Sequence, residues 1–372
     1  MTPTSRGAAV LALAAVALTA CGTTTDGSSD PSLSASGSSS SSTAFTPATS
    51  GELSLYTWSD YFPQAMVTRF TKETGIKLKV SYFDSNETLE AKLKASGGSG
   101  YDLVVPSDYM VQTLAKEGLL QPVDATALPN GKNIDPAFLD VYFDQGRKYT
   151  VPYLYGTTGF AYDSKVITTP MTSWKEYFNP PPAAVGKVGI FADQVEDVNA
   201  ALRAVGGKPC ESDPAKLQAA QDLLVAFKPK VATISSEGNH DRLASGETVV
   251  GMVWNGAAHR AIAKRKSLKY VYPDEGTALW QDNFAMPKGA KNVAQAKTFL
   301  NWYMDLKNTA EAANYQGYNA GFTGIDQYLS ADMRSDPAVV IPAADRSKVS
   351  AVAPCTAEQN NAYSQIFEKF KS

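Results

Sequence analysis

Glu52-Leu-Ser-Leu-Tyr56 alternates polar and apolar side chains as a strand does, and the turn-like Thr57-Trp58-Ser59-Asp60-Tyr61-Phe62-Pro63 follows it. Phe62, Met66, Val67 and Phe70 then recur at three- and four-residue spacing, Gly75 stops the helix, and Ile76-Lys-Leu-Lys-Val80 alternates again. This spacing predicts a strand, helix, strand unit. Asn86 to Ala95 predicts a second helix with Glu87 and Glu90 in its first turns, and Tyr101-Asp-Leu-Val-Val-Pro106 is a nearly continuous apolar run, the mark of a parallel strand buried on both faces. Alternating strands and helices give an α/β fold class, in which ligands sit beyond the carboxyl ends of strands. Thr57 to Tyr61 and Ser107 to Tyr109 are at such ends.

The alternation resumes from about Gly159 to Tyr272, with strands at Lys187 to Phe191 and Val249 to Trp254 and helices at Val198 to Val205 and Ala215 to Phe227. That stretch reads as a second lobe. Leu279 to Met286 is a further strand, followed by helices at Val293 to Tyr303 and Thr309 to Tyr315. No period of about 20 to 50 residues repeats, which excludes solenoids and propellers.

Of the 372 residues, 44% are hydrophobic and 10% aromatic, enough for a large core and too much for global disorder. Lys+Arg 34 against Asp+Glu 37 leaves a net charge of −3, with no electrostatic footprint for nucleic acid. Two histidines, His240 and His259, and three cysteines do not supply a thiolate or multi-histidine metal site.

The amino terminus reads as an address. Arg6 and the free amine precede an apolar run from Gly7 to Thr19, which ends in Leu18-Thr19-Ala20-Cys21. The run is shorter than the roughly 20 residues a membrane span needs, and small residues before a cysteine suit a lipoprotein signal peptidase. The expectation is a signal peptide over 1–20, lipid modification of Cys21, and a flexible Ser/Thr-rich tether over 21–50. An ordinary cleaved signal with an incidental cysteine is the alternative. Cys210 and Cys355 remain, 145 residues apart, and an oxidising compartment favours their pairing over two free thiols. The chain-entropy model allows such a loop about 5 kcal/mol, less whatever strain takes back.

Five predicted strand-end segments place a ring beside a carboxylate, hydroxyl or amide: Trp58-Ser59-Asp60-Tyr61, Ser107-Asp108-Tyr109, Asp193-Gln-Val-Glu196, Trp254-Asn255 and Trp280-Gln-Asp282. Period-2 alternation puts Asp282 on the face of Trp280 and Phe284, where a buried carboxylate wants a cation. Asp193 and Glu196, one helical turn apart, read either as a pair of anchors or as partners of a helix N-terminus. Rings and carboxylates together suit a long amine, whose methylenes stack while its ammonium ends take charge-assisted hydrogen bonds and cation–π contacts. There is no Gly-rich phosphate loop, serine elbow, Cys/His pair or zinc spacing, and the chain reads as a non-enzyme without cofactor.

Leu55-Tyr-Thr-Trp-Ser-Asp-Tyr61, Phe70-Thr-Lys-Glu-Thr-Gly-Ile76, Asp84-Ser-Asn-Glu-Thr-Leu89, Tyr101-Asp-Leu-Val-Val-Pro-Ser107 and Ala285-Met-Pro-Lys-Gly-Ala-Lys-Asn292, in this order, closely resemble the spermidine/putrescine-binding proteins of bacterial polyamine ABC importers. The resemblance runs from about Glu52 to Lys371. It implies a two-lobed, periplasmic-binding-protein-like type II fold with two interlobe crossings, placed near Val151 to Gly159 and Leu279 to Phe284, closing by hinge motion. The first lobe would comprise 51–157 plus 282–325 and the second 158–281 plus 326–372. Carried over by position, the resemblance implies an aromatic box of Trp58, Tyr61, Tyr109, Trp254, Trp280 and Tyr318, polar neighbours Ser59 and Ser107, and acidic anchors Asp193, Glu196 and Asp282. Asp60 fills the place of an acid that meets an ammonium directly or through water. Where putrescine-selective relatives carry a carboxylate after the Trp-x-Gly segment, Trp254-Asn-Gly-Ala257 supplies alanine, which tilts the expectation toward spermidine. The glutamine that spermidine-binding relatives contribute near the C-terminus has no match around Ala357 to Asn360. The implied partners are a polyamine, spermidine or putrescine, an ABC importer permease, and the outer face of the cell membrane through the lipid anchor only, with the protein monomeric. A receptor for another small solute, a sensor without a transport role, an adhesive lipoprotein and a polyamine-converting enzyme are the rival readings.

Overall fold

The computed structural model describes residues 45–372; the expected signal peptide, Cys21 and most of the tether lie outside the described residues. In chain order the elements are β1 (Gly51–Trp58), α1 (Gln64–Thr74), β2 (Ile76–Phe83), α2 (Asn86–Ser96), β3 (Leu103–Val104), α3 (Asp108–Lys116) and the short β4 (Leu120–Gln121), β5 (Asp140–Val141) and β6 (Asp144–Gln145). Then come β7 (Thr150–Asp163), α4 (Trp174–Phe178), β8 (Val188–Ile190), α5 (Gln194–Ala204), α6 (Pro214–Phe227), β9 (Val231–Ile234), α7 (Asn239–Ser245), β10 (Val250–Trp254), α8 (Asn255–Lys264) and β11 (Leu268–Val271). The chain closes with β12 (Thr277–Pro287), α9 (Val293–Tyr303), α10 (Leu306–Gln316), α11 (Ala331–Ser335), β13 (Val349–Ala351) and α12 (Ala357–Lys371). The first strand, helix, strand unit is where the alternation put it, except that β1 runs on through Thr57 and Trp58. Leu103 and Val104 alone make the strand expected over Tyr101 to Pro106; Pro106 has no N–H to give a ladder.

One sheet passes through the molecule in the order β2-β1-β3-β12-β7-β10-β8-β9. Its hub is β7, whose first half pairs antiparallel with β12 and whose second half pairs with β10 on one side and β11 on the other. Both long strands therefore run between two apolar cores. The first core gathers Leu55, Phe70, Leu103, Tyr153, Phe284 and Phe299, and the second gathers Phe160, Trp174, Phe191, Leu202, Phe227 and Met252. This is the two-lobed α/β fold.

Within 326–372, Leu329, Met333 and Val339 pack on the first core, whereas Tyr363, Ile366, Phe367 and Phe370 of α12 pack on the second. The residues up to Val339 thus cover the first core, beyond the position 325 at which the expected first lobe ends. On the far side Cys210 and Cys355 form a disulfide that ties the loop after α5 to the entry of α12.

Candidate binding site

The two ladders leave a cleft of about 440 Å³ between the cores. Trp58, Ser59, Asp60 and Tyr61 enter it from the end of β1, Ser107 and Tyr109 from the start of α3, Asp193 and Glu196 from the start of α5, and Trp254 from the end of β10. Trp280 and Asp282 come from β12, and Tyr318 from the turn after α10. All twelve line this one cleft.

Asp282 sits where β12 breaks its register against β7, between Gln281 and Asn283. At the break Tyr153 and Leu154 of β7 oppose Asp282 alone, so β7 carries the extra residue; Trp280 and Asp282 line the cleft, and Trp280 packs on the first core in which Phe284 is wholly buried. The flanks of the bulge are held from below by the buried guanidinium of Arg147, which donates to Asn283 Oδ1 at 2.8 Å, Gln281 Oε1 at 3.1 Å and Thr150 Oγ1 at 3.1 Å. The Asp282 carboxylate accepts the Tyr61 hydroxyl at 2.7 Å and the Ser107 hydroxyl at 2.6 Å. Burial pushes its pKa up to about 6, against those two hydrogen bonds, which lower it.

At the other acidic point Asp193 caps α5, its Oδ1 accepting the backbone N–H of Val195 at 2.9 Å and of Glu196 at 3.1 Å. Asp193 is thus a partner of the helix N-terminus and also lines the cleft. Glu196 accepts the Thr158 hydroxyl at 2.7 Å. Both carboxyls are raised in pKa, chiefly by desolvation, with Asp193 adding like charge at Glu196 and Arg203 exerting the smallest lowering. They keep part of their surface open to the cleft yet lie deep among protein atoms, which is why solvent does little to screen them.

Ring surfaces complete the walls. Phe191 stacks on Trp254 with centroids 4.4 Å apart, and Trp280 meets Tyr318 edge-on at 5.0 Å. Trp58 packs against Phe83 at 4.7 Å and spends its indole N–H on Val105 O. Gly156 is what lets Trp280 lie flat on β7, since a Cβ there would be 2.6 Å from the indole and would also collide with the Asn255 carboxamide. Gly256 does the same for Tyr318, whose ring would be 2.5 Å from an added Cβ.

Several cleft residues escaped the sequence reading. Phe191 ends the strand predicted over Lys187 to Phe191, and its place just before the turn carrying Asp193 is the signal that marks it. Arg260 stands one helical turn after Gly256 and Ala257, so the spacing on α8 carried a usable signal. Gln316 carried none beyond lying two residues before Tyr318. Behind the lining, Glu87 accepts the Tyr109 hydroxyl at 3.2 Å, and its pKa is raised by burial and by the charge of Asp193. Among the described residues no cluster of His, Cys, Asp and Glu is suited to hold a metal ion, and no helix is long and apolar enough to cross a membrane.

The family model described as bacterial extracellular solute-binding protein matches residues 65–341. The chain belongs to this family. Its curated relatives include spermidine/putrescine-binding periplasmic protein 1 of Haemophilus influenzae, 35% identical over 88% of this chain and 91% of that one. The putrescine-binding periplasmic protein SpuD of Pseudomonas aeruginosa is 32% identical over 86% of this chain and 92% of its own. Among solved structures, the spermidine/putrescine ABC transporter substrate-binding protein PotD of Streptococcus pneumoniae superposes with a TM-score of 0.72 at 29% identity, covering 87% of this chain and 99% of that one. This extracellular solute-binding protein thus shares its two-lobed fold and most of its length with polyamine-binding relatives.

Proposed function

We propose that this solute-binding protein captures a polyamine between its lobes and hands it to the permease of an ABC importer. One observation carries the reading: the carboxylates of Asp282 and of Asp193 with Glu196 face an aromatic cleft, and their near partners are hydroxyls and N–H groups, with no salt bridge to either among the described residues. Such groups are costly until a cation reaches them. A polyamine supplies ammonium groups joined by methylenes that fit against Trp58, Trp254 and Trp280.

Spermidine is the favoured ligand over putrescine. Ala257, on the first turn of α8, offers the cleft a methyl where the putrescine-selective proteins it resembles carry an acid. In the cell the protein is monomeric and held to the outer face of the membrane by lipid on Cys21, with the Ser/Thr-rich segment as tether. Its first lobe is 51–157 plus 282 to about 339, and its second lobe is the remainder. Calorimetric titration with spermidine and then putrescine tests the reading. One-to-one binding at micromolar affinity or tighter supports it, and heats equal to dilution for both ligands sink it.

A further inference from the structure

Unlike Asp282, Asp193 and Glu196, Asp60 already has a cation beside it. It follows β1 with φ of 51°, a left-handed conformation that turns its side chain along the rim. Its Oδ1 accepts the Tyr315 hydroxyl at 3.0 Å, and its Oδ2 lies 3.7 Å from Arg260 Nη1. The same Arg260 Nη1 donates to Gln316 Oε1 at 2.9 Å, while the Gln316 amide donates to the Asp60 carbonyl. Gln316 is 1% exposed, so one fixed carboxamide clasps both members of the pair. Arg260 reaches the cleft from α8 of the second lobe, and Asp60 from the end of β1 in the first. His240, Asp241 and Lys264 border the same end, with Lys264 spent on Asp241 at 2.8 Å. The cleft is therefore polarised: among the described residues Asp282 and the Asp193/Glu196 pair stand without a salt bridge, whereas Asp60 and Asp241 at the other end are matched from within the chain.

We infer that Arg260 is a specificity-determining residue, holding the Asp60 carboxylate in place of a ligand ammonium and so limiting the cleft to two charged anchors. The inference rests on the polyamine reading. A diamine spanning Asp282 and the Asp193/Glu196 pair never meets the guanidinium. A triamine whose third ammonium turns toward Asp60 meets a like charge and finds the carboxylate occupied. Arg260 thus keeps the preference for spermidine over putrescine smaller than the number of acids in the cleft would give.

The test is a set of calorimetric titrations with spermidine and with putrescine on the full protein and its variants at one salt concentration. Arg260→Gln should tighten spermidine by about tenfold and leave putrescine within a factor of about three, because only the longer ligand gains a freed anchor. Arg260→Met, which keeps the stem and drops the charge, should act alike and stands in if the glutamine variant does not fold. Arg260→Lys should restore the wild-type ratio, and adding Asp60→Asn to Arg260→Gln should abolish the gain. An unchanged spermidine-to-putrescine ratio in both neutral variants, or an equal change in Arg260→Lys, overturns the role of Arg260 while leaving the receptor intact. Wild-type protein that binds neither ligand overturns both.

Discussion

The Ser107 hydroxyl donates to the Asp282 carboxylate at 2.6 Å across 175 residues of sequence, and the two residues also form an isolated antiparallel bridge. The start of α3 and the register break of β12 against β7 are thereby joined in the cleft. Replacing Asp282 by Asn keeps the shape and removes the charge. The expected loss of spermidine affinity is about 2 to 5 kcal/mol, read by calorimetry. A change below about threefold would mean that no ammonium reaches this carboxylate.

Arg147 touches no cleft surface yet sets the bulge beside it. Arg147→Lys removes the planar fork that serves Gln281, Asn283 and Thr150 together and leaves buried acceptors unmet, at a cost of about 1 to 3 kcal/mol. Both the thermal midpoint and spermidine affinity should fall. A variant that melts earlier but binds as before would show that the bulge holds Asp282 without this support.

The raised carboxyl pKa values give a pH dependence of definite sign. Asp282 titrates at about 6, and Asp193 and Glu196 are shifted in the same direction, all mainly by burial. In the free protein these groups hold protons longer than in the unfolded chain. Their contribution to stability is therefore greatest at low pH and is lost as pH rises through the folded-state values. A cation favours the deprotonated form, so binding expels protons and weakens as pH falls. The thermal shift produced by spermidine should be larger at about pH 7.5 than at about pH 5, and affinity should drop by up to about tenfold per pH unit for each carboxylate that must ionise. Affinity that is flat over this range would place the ligand's charges elsewhere.

Trp254 is backed by Phe191 at 4.4 Å, so its face is presented to the cleft on a rigid support. Trp254→Phe should keep most of the affinity, whereas Trp254→Ala should lose about 1 to 3 kcal/mol from lost area and cation–π contact. Equal losses in the two variants would point to the indole N–H rather than the ring face as the important element.

The Cys210–Cys355 disulfide closes a loop of 145 residues and lies away from the cleft. Exchanging both cysteines for serine should lower the thermal midpoint, by up to about 5 kcal/mol of stability on the chain-entropy model, and leave spermidine affinity within about a factor of two. A large loss of affinity would connect the α12 end of the second lobe to the site.

Hydrophobic period and strand-end position were enough to locate the α/β alternation and eleven of the twelve cleft residues, because both depend on local spacing, whereas Tyr318 came only from the resemblance to polyamine-binding proteins. The bulge at Asp282 was not readable, since it arises from Arg147 and Asn283, which are 136 residues apart, and from pairing with a distant strand. The packing of 329–339 on the first core was hidden for a related reason. Leu329, Met333 and Val339 reveal an apolar face but not which core receives it. Asp60 looked like a free anchor because its partners, Tyr315 and Arg260, come from helices far along the chain.

Asn255, next in the chain after Trp254, accepts the Thr157 N–H at 2.9 Å and donates to Ala338 O at 2.9 Å. It thereby fastens the central strand β7 to the segment that follows α11. The indole and this joint are separated by a single peptide unit, so a displacement of either segment is passed through the backbone to the ring at the cleft wall.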